Sequence, residues 1–267
     1  MPPRRRLDAE LVRRGLARSR EAAAGLINAG HVTVSGRTAT KPATAVAAAD
    51  PIVVTAPDTD QYVSRGAHKL RGALDRFKPQ GLIVAGRRCI DAGASTGGFT
   101  DVLLREGAGH VVAVDVGYGQ LAWSLQSDDR VTVLDRTNVR DLTPDAIGEP
   151  VELVVADLSF ISLRLVLPAL AGCTTPGADL VLMVKPQFEV GKDLVGKGGV
   201  VRDPGLRAQA VRDVADAAAA LSLGAAGVTA SPLPGPSGNV EYFLWLARGA
   251  PPLDAAAVDS AVKEGPQ

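Results

Sequence analysis

The stretch Cys89-Ile-Asp-Ala-Gly-Ala-Ser-Thr-Gly-Gly-Phe-Thr100 decides the fold of this 267-residue chain. A short apolar run ends at Asp91, a loop with three glycines follows, and a helical pattern begins at Gly98. A strand, a glycine turn and a helix N-terminus form the first unit of a nucleotide-binding α/β sheet. Glycine lets backbone N–H groups approach a ligand closely, and the helix end adds partial positive charge. The spacing departs from G-x-G-x-x-G at Ser95, so the loop alone is also compatible with an ordinary turn.

The next apolar run strengthens the nucleotide-binding interpretation. His110-Val-Val-Ala-Val-Asp115 ends in a carboxylate 24 residues after Asp91, where such folds carry an acid that binds ribose hydroxyls. Phe99 and Asn138 are the weaker candidates for cofactor binding, because a core position explains the phenylalanine more simply and a turn explains the asparagine. The residues expected to bind the cofactor are Asp91, Gly93, Ser95, Gly97, Gly98, Phe99, Asp115 and Asn138.

Further apolar runs predict the rest of a mostly parallel sheet with helices on both faces. Strands are expected at 131–135, 152–157 and 179–185, the last two ending in Asp157 and Lys185. Ligands of such sheets bind at the carboxyl ends of the strands. A lysine directly after a fully apolar strand is unusual, although a salt bridge to Asp157 is a purely structural explanation. The runs 225–230 and 241–246 predict an antiparallel pair at the edge of the sheet.

Composition excludes several protein classes. Apolar residues make up 46% of the chain, which is enough for a sizeable core. Its two cysteines cannot form a disulfide framework, and without a C-x-x-C motif or a histidine cluster no metal is expected. The first residues lack the apolar segment of a signal peptide, and the uncharged stretch 217–240 is too weakly apolar to span a bilayer. We therefore expect a soluble protein of a reducing cytoplasm, without stable membrane association.

The net charge of zero conceals a strong asymmetry. Residues 1–41 hold nine basic and three acidic side chains, a balance of +6, so the remainder carries −6. This asymmetry predicts a polyanion-binding arm, although a solvated helix face is the simpler alternative. The planar fork of arginine grips phosphate with two hydrogen bonds. The residues expected to bind the polyanion are Arg4, Arg6, Arg18, Arg20 and Lys41.

Two short helices and a small sheet are predicted at the N-terminus. Leu7 and Leu11 share a helix face that stops near Gly15, and a second helix follows Ser19 and ends at Gly30. The run from Arg6-Leu7-Asp8 through Gly15-Leu-Ala-Arg18-Ser-Arg20 to Gly30-His-Val-Thr-Val-Ser-Gly36 resembles the S4 RNA-binding domain. That resemblance implies binding of structured RNA by the helix pair. The expected boundaries are 1–55 for this domain, 56–63 for a linker, 64–250 for the large domain and 251–267 for a tail.

The large domain resembles the FtsJ-type ribose 2′-O-methyltransferases. The resemblance lies in the loop 91–99, in Ala-Asp157-Leu-Ser-Phe, in Val-Lys185-Pro-Gln-Phe and in Asn-Val-Glu241-Tyr-Phe. It implies a Rossmann-like class I methyltransferase sheet and S-adenosylmethionine as cofactor. It also implies a catalytic tetrad of Lys69, Asp157, Lys185 and Glu241.

The combination of both domains is similar to the TlyA (hemolysin-like) family over nearly the whole chain. This implies methylation of cytidine 2′-hydroxyls in ribosomal RNA, and the arginine-rich start resembles the branch that modifies both ribosomal subunits.

The chemistry expected of the tetrad follows from the weak nucleophilicity of a ribose hydroxyl. Lys185 would act as base or as partner of the developing oxyanion, and Lys69 and Glu241 would orient the hydroxyl or the lysines. Asp157 would hold the lysines together, and which lysine is neutral is left open.

Three rival interpretations remain. They are a nicotinamide-dependent oxidoreductase, a membrane-lysing hemolysin, and a non-catalytic RNA-binding protein on a methyltransferase scaffold. The first would leave the basic N-terminus unexplained, the second needs an apolar or amphipathic membrane segment, and the third would not need all four tetrad residues.

Overall fold

The computed structural model describes residues 4–17, 19–28, 30–54 and 62–266. It divides into two compact units, Met1–Gln61 and Tyr62–Gln267. Arg18, one of the residues expected to bind RNA, and positions 56–61 of the expected linker lie outside the described residues.

The N-terminal unit packs two short helices against two small antiparallel sheets. Its helices are α1 (Leu7–Arg13) and α2 (Arg20–Asn28), and its strands are β1 (Arg4–Arg6), β2 (Val32–Val34), β3 (Arg37–Thr38), β4 (Ala45–Ala47) and β5 (Ile52–Val54). One sheet pairs β1 with β4, and the other has the order β3-β2-β5. Its core contains Leu7, Leu11, Ala23, Ile27, Val32, Ala39 and Val46, all buried.

The first strand of this unit was not expected from the sequence. Arg4–Arg6 pairs in register with Ala45–Ala47, and all three arginines are exposed. Three consecutive charged residues carry no apolar alternation, so the pattern that normally predicts a strand is missing. The basic N-terminus is therefore fixed to the unit from residue 4 onward.

The larger unit is built on a seven-stranded sheet of order β11-β12-β10-β9-β6-β7-β8. Its strands are β6 (Arg88–Ala92), β7 (His110–Val114), β8 (Val131–Leu134), β9 (Val151–Ala156), β10 (Thr174–Val184), β11 (Leu223–Ala230) and β12 (Tyr242–Arg248). Its helices are α3 (Ala67–Phe77), α4 (Gly98–Arg105), α5 (Trp123–Gln126), α6 (Pro144–Ile147), α7 (Leu163–Gly172), α8 (Pro186–Glu189), α9 (Pro204–Ala219) and α10 (Ala255–Glu264). The five strands from β10 to β8 are parallel, and β12 is antiparallel to both neighbours. The predicted mixed α/β fold with a mostly parallel sheet is confirmed.

Alternating strand residues face two separate cores, one on each side of the sheet. Ile90, Val112 and Val154 join the core under α7, α9 and α10. Their chain neighbours Cys89 and Val111 join the other core, under α3 and α4. Because both faces of each central strand are covered, these strands read as continuous apolar runs.

The antiparallel pair expected at the edge of the sheet is confirmed: β11 is the edge strand, and β12 joins it to β10. One feature of the sheet differs from expectation. β10 begins at Thr174, before the apolar run, and its pairing with β9 is irregular between Thr174 and Asp179.

The ends of the larger unit also extend beyond the expected boundaries. Tyr62 and Val63, assigned to the linker, pack against the core beside α3 and α4. Val258 and Ala261 of α10, assigned to the tail, are buried in the other core. None of the helices in the described ranges is both long and apolar enough to cross a membrane.

A buried carboxylate joins three strands at the edge opposite the glycine turn. Asp179 of β10 accepts a hydrogen bond from the indole N–H of Trp245 in β12, at 2.7 Å. Its other oxygen lies 2.5 Å from the Arg87 guanidinium, directly before β6. All three side chains are largely buried. Loss of Asp179 would leave the Trp245 indole N–H without its acceptor and the Arg87 guanidinium with the Glu152 carbonyl oxygen, at 3.3 Å.

Replacing this carboxylate should destabilise the protein. We expect Asp179→Ala to lower the free energy of unfolding by about 2–4 kcal/mol, because Trp245 and Arg87 lose a buried partner. Denaturant unfolding measures the change. Asp259→Ala, which removes the exposed ion pair with Arg212, is the matched control and should cost no more than about 1 kcal/mol. Equal effects of both substitutions would contradict this role of Asp179.

Candidate active site

The glycine turn after β6 has a backbone that side chains would disturb. Gly93 and Gly97 have φ values of +85° and +97°, in the left-handed region that favours glycine. A Cβ on Gly93 would lie 2.7 Å from the carbonyl oxygen of Asp157, too close for a van der Waals contact. Ser95 also has a positive φ, +46°. The turn therefore brings the ends of β6 and β9 into direct backbone contact.

Asp115 stabilises this turn from the end of β7. Its Oδ2 accepts a hydrogen bond from the Ser95 N–H at 2.8 Å, and its Oδ1 accepts one from the Gly117 N–H at 2.7 Å. Each carboxylate oxygen can accept a second hydrogen bond. Asp115 therefore combines a structural role with remaining capacity for ribose hydroxyls.

A cavity of about 430 Å³ opens beside the turn. Of the residues expected to bind cofactor, Gly93, Ser95, Asp115 and Asn138 line it. The side chain of Asn138 also caps a 3-10 turn by accepting the Arg140 N–H at 3.0 Å. Apolar walls come from Val116, Leu158, Phe160, Ile161, Val139 and Val166. A cavity of this size, mostly apolar with a few polar groups, is typical of small-molecule sites.

A smaller cavity of about 140 Å³ adjoins the same turn. Its lining includes Ser95, Gly98 and Phe99, together with Asp157. Phe99 is almost fully buried and also packs in the core against Phe243. Gly97 lines neither cavity, and a Cβ there would collide with Leu121 and Leu125.

Asp91 lies beneath the turn and does not line either cavity. It is fully buried, and its Oδ2 accepts a hydrogen bond from the Thr100 hydroxyl at 2.7 Å. Its other oxygen has no hydrogen-bond partner among the described residues. Burial raises the pKa of Asp91 to about 7, and the hydrogen bond from Thr100 only partly offsets that shift. The Asp91 side chain therefore lies inside the turn, whereas the sequence led us to expect it in contact with the cofactor.

Four charged side chains from distant parts of the chain lie together at the carboxyl edge of the sheet. Lys69 Nζ lies 2.5 Å from Glu241 Oε2, and Lys185 Nζ lies 2.5 Å from Asp157 Oδ1. A longer contact of 4.0 Å joins Lys185 Nζ to Glu241 Oε1. Lys69, Lys185 and Glu241 are almost completely buried, whereas the Asp157 side chain is 23% exposed. Two ammonium groups and two carboxylates thus neutralise each other in a site with little water.

Ser159 is a neighbour of this cluster that sequence reasoning did not single out. Its hydroxyl accepts a hydrogen bond from Lys185 Nζ at 3.0 Å, and the residue lines the larger cavity. Its position two residues after Asp157, beyond the end of β9, was the available signal. Lys185 is therefore connected directly to the cavity wall.

The loop before β12 fixes Glu241 in place. Gly235 donates its N–H to the carbonyl of Asn239 at 2.8 Å, and Ser231 donates to the carbonyl of Glu241 at 2.8 Å. The buried Asn239 side chain bonds the backbone of Val201 and Gly199. A Cβ on Gly235 would collide with both carboxylate oxygens of Glu241. The position therefore requires glycine because of the catalytic candidate beside it, although its φ is ordinary.

The basic residues expected to bind RNA lie in the other unit. Arg4 and Arg6 are exposed on β1, Arg20 is exposed at the start of α2, and Lys41 is exposed near the start of α1. The turn of Lys41 is joined to α1 by a hydrogen bond from the Asp8 N–H to the Pro42 carbonyl. Within the described ranges, no His, Cys, Asp and Glu side chains form a group that could hold a metal ion.

Known proteins match this chain over its whole length. The FtsJ-like methyltransferase family matches residues 62–248, and the S4 domain matches residues 5–52. The 16S/23S rRNA (cytidine-2′-O)-methyltransferase TlyA of Mycobacterium tuberculosis is 62% identical, and the alignment covers 100% of both chains. Hemolysin A of Brachyspira hyodysenteriae is 36% identical and is covered over 98% of its length by 89% of this chain. A solved structure of a hemolysin-named protein from Streptococcus thermophilus has a TM-score of 0.72 at 36% identity, covering 99% of this chain and 96% of its own.

The buried acid of the turn should make stability depend on pH. In the folded protein the raised pKa of Asp91 favours the protonated form, so ionisation costs stability as pH rises from about 4 toward 7. Asp91→Asn keeps an acceptor for Thr100 and removes this cost. We expect its free energy of unfolding, relative to the unchanged protein, to improve by about 2–4 kcal/mol between pH 5 and pH 8.

Urea unfolding at both pH values checks this expectation. Asp145→Asn, at an exposed position, is the control. Its free energy of unfolding should differ from that of the unchanged protein by the same amount at both pH values. A pH-independent difference for Asp91→Asn would show that this carboxyl is ionised in the fold.

Proposed function

The chain belongs to the FtsJ-like methyltransferase family and carries an S4 domain at its N-terminus, and we propose that it methylates the ribose 2′-hydroxyl of cytidine in ribosomal RNA. The observation that carries the proposal is the cluster of Lys69, Asp157, Lys185 and Glu241 beside the cavity. The cytidine and the RNA are proposed by similarity to the M. tuberculosis relative, a 16S/23S rRNA (cytidine-2′-O)-methyltransferase that matches the whole chain. That relative is named for both 16S and 23S RNA, so we extend the proposal to both ribosomal subunits.

S-adenosylmethionine is the cofactor that we propose for the larger cavity. The volume, the apolar walls and the two polar groups Ser95 and Asp115 fit an adenosyl group with ribose hydroxyls. Asp115 would bind the ribose, Val116 and Val139 would contact the base, and the exposed backbone of the glycine turn would bind the remaining polar groups. When bound, this cofactor supplies an electrophilic methyl group on a positively charged sulfur.

Lys185 is the residue that we propose as proton acceptor. Its Nζ contacts Asp157 and Ser159, both of which line the larger cavity, so an incoming ribose hydroxyl would reach the amine from there. In its neutral form the amine would take the hydroxyl proton, so an O–H bond breaks and an N–H bond forms. The ribose oxygen would bond to the methyl carbon as the bond from that carbon to sulfur breaks, so the oxygen never carries a full negative charge. Asp157 then stabilises the resulting ammonium group at 2.5 Å.

Lys69 and Glu241 orient this proton acceptor. Glu241 faces both lysines with its two oxygens, at 2.5 Å and 4.0 Å. Lys69 contacts Oε2 of Glu241, so Oε1 is the oxygen that faces Lys185. Attraction to Oε1 would keep the Lys185 amine directed at the cavity. Positioning of this kind contributes to the rate as much as proton transfer does. The proposal implies a cytoplasmic protein, since that is where ribosomes work.

Removing the proposed proton acceptor should abolish activity without abolishing binding. We expect Lys185→Ala to lower the rate of methyl transfer by at least about 100-fold, while affinity for ribosomal RNA changes less than about twofold. Transfer of labelled methyl groups to ribosomal subunits and filter binding of RNA measure the two quantities. A non-catalytic RNA-binding protein would show no transfer even before the substitution, and unchanged transfer by Lys185→Ala would exclude this lysine as the proton acceptor.

Moving Glu241 should have a similar effect through a residue that touches no substrate. Gly235→Ala introduces a Cβ into the space of the Glu241 carboxylate, closest to Oε1, so the carboxylate must shift relative to the two lysines. A misplacement of about 1 Å should lower methyl transfer by about 100-fold. Gly172→Ala is the matched control, because a Cβ there meets nothing within 4 Å. Full activity of Gly235→Ala would mean that the position of Glu241 is unimportant.

A further inference from the structure

A buried carboxylate in the N-terminal unit holds two arginines that are more than half exposed. Asp8 Oδ1 and Oδ2 accept hydrogen bonds from Nε and Nη2 of Arg6, at 3.1 Å and 2.8 Å. The same Oδ2 accepts a hydrogen bond from Nη2 of Arg20 at 3.1 Å. The Asp8 side chain is only 6% exposed, whereas those of Arg6 and Arg20 are 52% and 59% exposed. The carboxylate thus lies beneath two guanidinium groups that face solvent.

The two arginines come from different elements, and only Asp8 joins them in the contacts described. Arg6 ends β1 and Arg20 begins α2. Because both guanidinium groups reach the same carboxylate oxygen, they are neighbours at the surface. Two positive charges against one negative charge leave a net charge of +1, which matches one phosphodiester group. The geometry is therefore that of a prearranged phosphate-binding pair.

A second buried carboxylate of α1, Glu10, also binds two arginines, but its cluster has a structural role. Glu10 accepts hydrogen bonds from Arg13 and Arg14. Arg14 is mostly buried and donates onward to the carbonyl oxygens of Ala48 and Asp50. That cluster ties α1 to a loop of its own unit. In the Asp8 cluster, by contrast, both guanidinium groups are exposed and remain available to a ligand, whereas Arg14 of the Glu10 cluster is used within the unit.

We propose that Asp8 is a positioning residue for RNA binding, which holds Arg6 and Arg20 as one preformed site for the phosphate backbone. This inference rests on the proposed function, because it takes ribosomal RNA as the ligand. Free arginine side chains lose rotamer freedom when they bind a phosphate, and a carboxylate that fixes them beforehand reduces that loss. The contacts of Arg6 lower the pKa of Asp8 to about 2, against the effect of burial. The carboxylate is thus ionised at neutral pH.

Charge and positioning predict opposite results for one substitution. Asp8→Asn raises the net charge of the unit by one, so charge alone predicts tighter RNA binding. Our proposal predicts binding weaker by about fivefold to tenfold, because the amide no longer holds two guanidinium groups. Glu21→Gln is the matched control: it makes the same charge change at an exposed position of α2 and should bind equally or slightly more tightly.

The experiment uses the full chain and deproteinised 16S and 23S ribosomal RNA in a filter-binding assay at fixed salt. A double substitution, Arg6→Gln with Arg20→Gln, separates positioning from general destabilisation. In that background Asp8→Asn should have no further effect, since the residues through which it acts are gone. Binding by Asp8→Asn equal to or tighter than the unchanged protein would overturn the proposal. An equal loss in both backgrounds would also overturn it, because the loss would then be structural.

A second pair of variants keeps the test decisive if Asp8→Asn unfolds the N-terminal unit in a thermal melt. Arg20→Lys keeps the charge but loses the planar fork, and it should weaken RNA binding by about threefold or more. Arg5→Lys makes the same change at an exposed position of β1 and should change binding less than about twofold. Equal behaviour of these two variants would refute the preformed pair. Absence of RNA binding by the unchanged protein would instead refute the proposed function.

Discussion

The mutual neutralisation of two lysines and two acids at one edge of the sheet is the constraint on which this structure depends. Each of these charges alone would be costly to bury, and removal of one partner leaves another without compensation. Lys69, Lys185 and Glu241 are nearly inaccessible, so they are tolerated only as a set. The site therefore forms only if β9, β10, β12 and α3 bring their ends to the same place.

The antiparallel strand β12 makes this convergence possible. Val184 of β10 pairs with Tyr242 of β12, so Lys185, which follows one strand, lies beside Glu241, which precedes the other. A parallel β12 would have put Glu241 at the opposite edge of the sheet. The sequence predicted Asp157 and Lys185 at a common edge, because both follow apolar runs. It could not fix the place of Glu241, since that depends on the insertion of β12 between β10 and β11.

Other parts of the site were beyond sequence patterns for related reasons. Asp91, the acid expected to contact the cofactor, is buried under the glycine turn with Thr100. The sequence of a carboxylate at a strand end does not tell whether the side chain lies under the turn or faces the cofactor. Gly235 carries no conformational signal, because glycine is required there by the side chain of Glu241, six residues later in the chain. By contrast, periodicity and glycine placement were sufficient to locate the main strands along the chain and to predict that most of them are parallel. Local patterns determine elements, whereas contacts between distant segments determine which side chains meet.

Both units use a buried carboxylate to hold two cationic side chains. Glu241 does so for two lysines, and Asp8 does so for two arginines, one pair facing a cavity and the other facing solvent. The central claim is that the first of these clusters activates a ribose hydroxyl of RNA. Nucleoside analysis by mass spectrometry of ribosomal RNA, after incubation with the protein and methyl-labelled S-adenosylmethionine, tests it most directly. We expect label in 2′-O-methylcytidine; label confined to a base, or absent from RNA, would mean that the cluster does not act on a ribose hydroxyl.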